Sequence, residues 1–250
     1  MEITPCGSSG RPKKAFLLAA GLGTRLWPLT RKTPKCLLPL GGKPILHWWI
    51  KLLESLGVEE ALVNLHHLAG QVEDFARGSG HALRLRLFHE PRLLGSAGTI
   101  SANRDFVGNE PFWICYADTL VAADLKPLVE LHRRELPPLT SGLFKSSDPK
   151  ACGILELGSG GRIVSFEEKP AFPRCDLACA GVFVASPALW GYLPAGCGDI
   201  GRDVMPGLVG RAFGRLLRGT VIDIGTPQAY GLARKRWAEL GLSRRFGEKA

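Results

Sequence analysis

The chain has 250 residues, 45% of them hydrophobic and 22% charged, with a formal net charge of +9. That length holds one large α/β domain or two small ones, and no apolar stretch reaches the roughly 20 residues needed to cross a bilayer, so no membrane association is expected. Lysine and arginine are spread along the whole chain, with no long basic run and no aromatic-interleaved stripe, which argues against nucleic acid and for small anionic substrates.

The opening residues, MEITPCGSSGRPKK, are polar and lack the apolar core of a secretory signal, so 1–14 are expected to be a flexible leader. The seven cysteines are odd in number and contain no CxxC pair, as for reduced thiols in a cytoplasmic protein. Residues 15–20 form a short apolar run ended by glycine, the pattern of a buried parallel strand. Residues 44–56 carry a helical apolar face that stops at Gly57, with Pro44 suited to the first turn. Strands are predicted at 61–65, 83–88 and 112–116, and helices at 69–76, 96–103 and 125–135. This alternation predicts a parallel sheet covered by helices. After about residue 139 the pattern changes. GILELGSGGRIVSFEEKP reads as a hairpin around a glycine-rich turn. Further strands are predicted at 180–185 and 220–224, and a last helix at 227–239. No hexapeptide repeat announces a C-terminal β-helix, so a route to oligomers through such a tail is not expected, and a homodimer stays open.

The stretch that follows the first strand carries the chemistry. Glycines directly behind a buried strand let backbone N–H groups approach an anion. A P-loop would need Gly-Lys-Ser/Thr after its glycines, and GLGTRL does not supply it. A dinucleotide fingerprint would need a third small residue where Leu26 stands and an acid after the next strand, which instead ends ALVNLHH. LAAGLGTRLWPLTRKTPKCLLPLGGKPIL resembles the signature of the sugar-phosphate nucleotidyltransferases, through Leu18-Ala19-Ala20-Gly21, Gly23-Thr24-Arg25-Leu26 and Pro34-Lys35. The closest likeness is to the mannose-1-phosphate and manno-heptose-1-phosphate guanylyltransferases.

That resemblance runs from about residue 15 to 233 and implies a set of roles. Leu18, Ala19, Ala20, Gly21, Gly23, Thr24, Arg25 and Lys35 would hold the nucleotide, with Arg25 and Lys35 neutralising its phosphates. EPRLLGSAGTI would lie against base and ribose through Glu90, Gly95 and Ser96. FWICYADTL and VIDIGTPQAY would supply Asp118 and Asp223 as ligands to Mg²⁺. Gly153, Glu168, Lys169, Cys179 and Ala180 would hold the sugar phosphate, Lys169 at its phosphate. Cys179 stands where an asparagine is usual, and a thiol is a poor hydrogen-bond donor. Each aspartate follows an apolar strand, so both are expected at the carboxyl edge of one parallel sheet. The implied fold is a single Rossmann-like α/β domain over 15–240: a mixed, mainly parallel sheet flanked by helices, with a smaller β-rich sugar-binding part. Its nucleotide half covers about 15–138 and its sugar-phosphate half about 139–226, with a tail at 241–250. The implied reaction is NTP plus sugar 1-phosphate giving NDP-sugar and pyrophosphate, with GTP and a manno-configured sugar favoured. An amino-sugar or muramic acid uridylyltransferase, a phosphocholine-type cytidylyltransferase and a non-catalytic nucleotide-sugar sensor are the alternatives. Asp199 and Asp203 are expected to cap a helix, and Trp48 and Trp49 to divide between core and surface.

Overall fold

Parallel pairing of buried apolar runs sets the frame of the molecule, whose computed structural model describes residues 10–78 and 80–247. Residues 1–9 of the expected leader and 248–250 of the expected tail lie outside the described residues. The strands are β1 (Lys14–Leu18), β2 (Pro39–Leu40), β3 (Lys43–Pro44), β4 (Glu60–Leu65), β5 (Arg84–His89), β6 (Phe112–Tyr116), β7 (Thr119–Ala123), β8 (Leu139–Lys145), β9 (Gly153–Leu157), β10 (Ile163–Glu168), β11 (Leu177–Ala185), β12 (Phe213–Leu216) and β13 (Gly219–Asp223). The helices used below are α1 (Ile45–Ser55), α2 (Ala69–Gly78), α3 (Gly95–Ala102), α4 (Arg104–Val107), α5 (Lys126–Glu135), α6 (Met205–Leu208), α7 (Pro227–Lys235), α8 (Trp237–Leu240) and α9 (Leu242–Arg245).

One nine-stranded mixed sheet dominates, in the order β10-β9-β11-β6-β1-β4-β5, with β8 paired to β11 and β12 to β8. Strands β5, β4, β1 and β6 run parallel, and β11 adds antiparallel to β6. The chain therefore reverses its direction of growth between β1 and β6, and that switch point opens a crevice at the carboxyl ends of both strands. Successive side chains of each strand feed opposite faces. Ala15 and Leu17 join the core beneath α1, while Phe16 packs on the other face with Ile100 of α3 and Phe106 of α4. At one margin of the sheet, β5 alternates exposed Arg84 and Arg86 with half-buried Leu85 and Leu87.

The β9–β10 hairpin forms as the sequence predicts, with Gly160 and Gly161 at positive φ in its turn. Strands β2, β3, β7, β8 and β12 carry no legible signal. β8 (LTSGLFK) is buried along most of its length, so polar and apolar residues do not alternate. Gly142 within it lets β11 approach, since a Cβ there would come within 2.8 Å of Val182. β7 and β12 are short and likewise escape prediction. The predicted last helix is broken into α7 and α8, and Leu242 of α9 is buried in the core. Trp48 and Trp49 do not divide between core and surface; both are buried, donating their indole N–H groups to the carbonyls of Leu40 (2.9 Å) and Thr119 (2.8 Å).

One expectation is corrected by topology. Asp118 follows β6 of the main sheet, but Asp223 ends β13, which is not part of it. β13 pairs antiparallel with β7 in a separate two-stranded sheet, with Asp223 opposite Thr119. The aspartates meet because β7 starts directly after Asp118 and brings β13 back to it, rather than by sharing a parallel edge.

Beneath β8, His132 of α5 is buried and its Nδ1 lies 2.8 Å from Thr140 Oγ1. Burial pushes this imidazole down to about 4 from its ordinary 6.5. The folded state thus prefers the neutral ring, so this stabilisation is complete above pH 6.5 and is lost as pH falls towards 4. At about 1.4 kcal/mol per unit, the loss is about 3 kcal/mol. Chemical denaturation of wild type and His132→Gln across this window should show the wild-type curve falling more steeply by that order; parallel curves would refute the assignment.

Candidate active site

The crevice is a cleft of about 800 Å³ walled by both halves of the chain. Of the residues singled out by sequence, Arg25, Gly95, Asp118, Gly153, Glu168, Lys169, Cys179, Ala180 and Asp223 line it. Leu18, Ala19, Ala20, Gly21, Gly23, Thr24, Lys35, Glu90 and Ser96 are not part of its wall, and their positions explain why.

The loop after β1 turns through three short 3-10 segments, Thr24–Leu26, Leu29–Arg31 and Lys35–Leu37. Leu26 is fully buried and anchors it, while Gly21, Thr24 and Arg25 are exposed. Gly23 has φ +64 and a Cβ there would meet the Thr30 side chain at 2.9 Å. Thr30 Oγ1 donates to the Gly23 carbonyl (2.7 Å), His67 Nε2 to the Thr30 carbonyl (2.7 Å) and Gln71 Nε2 of α2 to the Lys32 carbonyl (2.8 Å). The histidines after β4 therefore clamp backbone, His66 doing the same at Glu90 (2.7 Å).

Lys35 is the pivot of the charged cluster. Its side chain is only 8% exposed, and its Nζ lies 2.6 Å from Asp118 Oδ2 and 3.6 Å from Asp223 Oδ1. The two carboxylates are partly open to the cleft. Asp223 Oδ1 also accepts from Gly225 N (2.7 Å), and the Asp118 carbonyl accepts from Ile224 N (3.1 Å). Gly225 leaves room for both charged groups: a Cβ would lie 2.8 Å from an Arg25 guanidinium nitrogen and 2.9 Å from Asp223 Oδ1. Arg25, Lys35, Asp118 and Asp223 thus converge on one spot, beside which Cys36 is sealed in the core, its thiol pushed up to about 12 by burial.

Glu90 does not face the cleft. It is 1% exposed, and its carboxylate accepts from Asn64 Nδ2 (2.8 Å), Thr99 Oγ1 (2.5 Å) and Leu94 N (2.9 Å). Asn64 Oδ1 in turn accepts from Ala19 N (2.6 Å). This buried chain ties the glycine loop to the segment that enters α3. Sequence reading passed over Asn64, although one amide inside the apolar strand EALVNL was a signal. Ser96, half-buried, joins residues of the wall: it donates to Asp199 Oδ2 (2.8 Å) and accepts from Ile200 N (2.8 Å) and Tyr116 Oη (3.3 Å). Burial, with Asp199 nearby, holds the Tyr116 phenol well above its usual range. Asp199 caps the turn over Ile200–Val204 as expected, accepting from Gly201 N and Arg202 N. In the first turn of α3 the amides of Ala97 and Gly98 both donate to the Gly198 carbonyl.

On the other wall, burial raises the Glu168 carboxyl above its ordinary value, offset by Lys169, whose Nζ lies 3.6 Å away. Lys169 has φ +49 and donates its backbone N–H to the Cys152 carbonyl (3.0 Å). Glycine would adopt that conformation without cost, so a lysine here trades backbone strain for a cation at the cleft. Two partly exposed carboxylates offer the hard oxygen donors that Mg²⁺ takes. Among the described residues no group of three His, Cys, Asp or Glu could hold a metal by itself. The donor set therefore suits a metal that shares its coordination with substrate oxygens and water. No helix among the described residues is long and apolar enough to cross a membrane.

A family model described as Nucleotidyl transferase matches residues 14–238. A glucose-1-phosphate thymidylyltransferase of Streptomyces griseus is 32% identical over 177 residues, 70% of this chain and 50% of that protein. A mannose-1-phosphate guanylyltransferase of Mycobacterium tuberculosis is 29% identical over 222 residues, 86% of this chain and 62% of that protein. The chain thus spans about half the length of the first of these relatives. Among solved structures, a Bacillus anthracis chain assigned to a glucose-1-phosphate thymidylyltransferase, in complex with sucrose, matches with a TM-score of 0.82 at 22% identity, covering 94% of this chain and 99% of that one. This last likeness is one of fold.

The buried amide chain is directly testable. Asn64→Leu keeps the volume but removes a donor to Glu90 and the acceptor for Ala19 N. Urea unfolding should show a loss of about 2–4 kcal/mol, the cost of orphaning buried polar groups; a loss well under 1 kcal/mol would make the network dispensable.

Proposed function

We propose, from the premise that this chain belongs to the nucleotidyl transferase family, that it joins a nucleoside triphosphate to a sugar 1-phosphate, releasing pyrophosphate and an NDP-sugar. The observation that carries this reading is the convergence of Arg25, Lys35, Asp118 and Asp223 at one end of a cleft whose other wall presents Lys169 and Glu168. Two anions must meet in such a reaction, and an attacking phosphate oxygen needs no general base. Charge neutralisation and alignment are what the protein has to provide.

The residues divide this work. Arg25 and Lys35 hold the β- and γ-phosphates and stabilise the pyrophosphate as it leaves. Lys169 holds the acceptor phosphate and aims its oxygen at the α-phosphorus. Asp118 and Asp223 would hold Mg²⁺, which when bound withdraws charge from the phosphoryl oxygens. In the free protein the Lys35 ammonium lies against both carboxylates and offsets one of their two charges, so the nucleotide phosphates compete with the aspartates for it. Glu90 and Asn64 act behind the wall by fixing the backbone around the nucleotide, and Ser96 ties the two walls together. GTP with a manno-configured sugar 1-phosphate is the favoured pair, supported by a guanylyltransferase relative that aligns with 86% of the chain. Thymidylyl transfer to glucose 1-phosphate is the second reading, favoured by the 32% identical relative.

Pyrophosphate release across a grid of nucleoside triphosphates and sugar 1-phosphates with Mg²⁺ separates these. Asp118→Asn should lower kcat about 100-fold or more in protein that still folds, with a lower melting temperature because the Lys35 ammonium loses its nearer carboxylate. An unchanged kcat in the folded variant would remove Asp118 from the mechanism.

A further inference from the structure

We infer that Lys35 acts as an internal stand-in for the metal, so that a divalent cation binds Asp118 and Asp223 tightly only when a polyphosphate has drawn the ammonium away; this rests on the reading above that these two aspartates hold the metal. The order in which the ligands assemble is then set by one side chain of the free protein.

A cation that touches Asp118 Oδ2 must share that oxygen with an ammonium 2.6 Å away, and one that touches Asp223 Oδ1 meets the same ammonium at 3.6 Å. Like charges this close repel strongly where water is scarce. The ammonium has little freedom to make room. Lys35 opens the 3-10 turn Lys35–Leu37, in which Cys36 is sealed in the core. The amide of Leu37 donates to the Pro34 carbonyl (2.9 Å) and that of Leu38 to the Lys35 carbonyl (3.2 Å), which pins the backbone on both sides of the lysine. Among the described residues its Nζ finds no acceptor but these two carboxylates. Turning away would leave a buried charge without a partner, the costly outcome for any such pair. Arg25 brings a second cation, since its guanidinium and the Asp223 carboxylate border the same side of Gly225. Two carboxylates with two cations beside them offer a divalent ion little net charge. A polyphosphate reverses this balance by giving the ammonium acceptors of higher charge, and each aspartate so released gains affinity for metal. By linkage, metal and polyphosphate raise each other's affinity by the same factor.

The test reads Mn²⁺ binding to the full chain by electron paramagnetic resonance, with no nucleotide present and so with no turnover. Lys35→Met should bind Mn²⁺ about 10- to 100-fold more tightly than wild type, within the usual range of coupling between sites. Lys35→Arg, which keeps the charge, should stay near wild type. Asp118→Asn added to Lys35→Met should abolish the gain, which a general loosening of the cleft would not do. If Lys35→Met folds poorly, the reciprocal measurement serves: in EDTA, tripolyphosphate should bind Asp118→Asn more tightly than wild type. Glu168→Gln, which removes an equal charge from the same cleft away from Lys35, should gain less, and an equal gain would overturn the inference. Equal Mn²⁺ affinity in wild type and Lys35→Met, lost in both on Asp118→Asn, overturns it and leaves the aspartates as metal ligands. Mn²⁺ binding that is indifferent to Asp118 in both backgrounds overturns the inference and the metal reading together.

Discussion

A lysine ammonium removed from water needs its charge answered, and the answer at Lys35 organises this molecule. Two carboxylates from distant segments satisfy it, at 2.6 and 3.6 Å. For that to happen the loop after β1 must fold back along the sheet, and β13 must return beside β7 in a single register. The Trp49 indole holds the Thr119 carbonyl and so fixes the turn that carries Asp118. Deleting one partner of such a buried ion cluster leaves the others uncompensated, which costs more than the cluster contributes when whole. The same charge that specifies the fold is the one a polyphosphate would draw on.

The two walls of the cleft are bonded to each other as well as facing each other. Ser96 and the amides of Ala97 and Gly98, on one wall, reach Asp199, Ile200 and the Gly198 carbonyl on the other. Gly95 permits this approach, since a Cβ there would stand 2.3 Å from the Gly198 carbonyl oxygen. Displacement of the 198–201 segment would therefore be felt at the entry to α3. The two walls share one hydrogen-bonded segment rather than standing apart.

Much of this was legible in the sequence because local signals agreed with the global fold. Strand β1 ends in glycine at the switch point, α1 shows its apolar face and stops at Gly57, and the β9–β10 hairpin marks its own turn. The failures have physical causes. Strand β8 is buried along most of its length, so it lacks alternation. Asp223 was placed on the wrong sheet because nothing local in VIDIG reveals that its partner is β7. Glu90 lies in a segment that borders the cleft, yet its side chain points into the protein; a motif conveys position along the chain and not direction. Asn64, Tyr116 and Asp199 act through pairings distant in sequence, which no single window contains.

Strand β5 ends the sheet with exposed Arg84 and Arg86 alternating along it. An open edge offers unpaired backbone groups to any passing strand. Here a second copy approaching in register would have to crowd like charges together, so the edge repels its own kind. That protection is electrostatic and is screened within about 8 Å at physiological ionic strength. The colloidal behaviour of the protein at high concentration is therefore tied to salt through two arginines remote from the cleft, and crowding in strong salt is the condition under which this margin becomes adhesive.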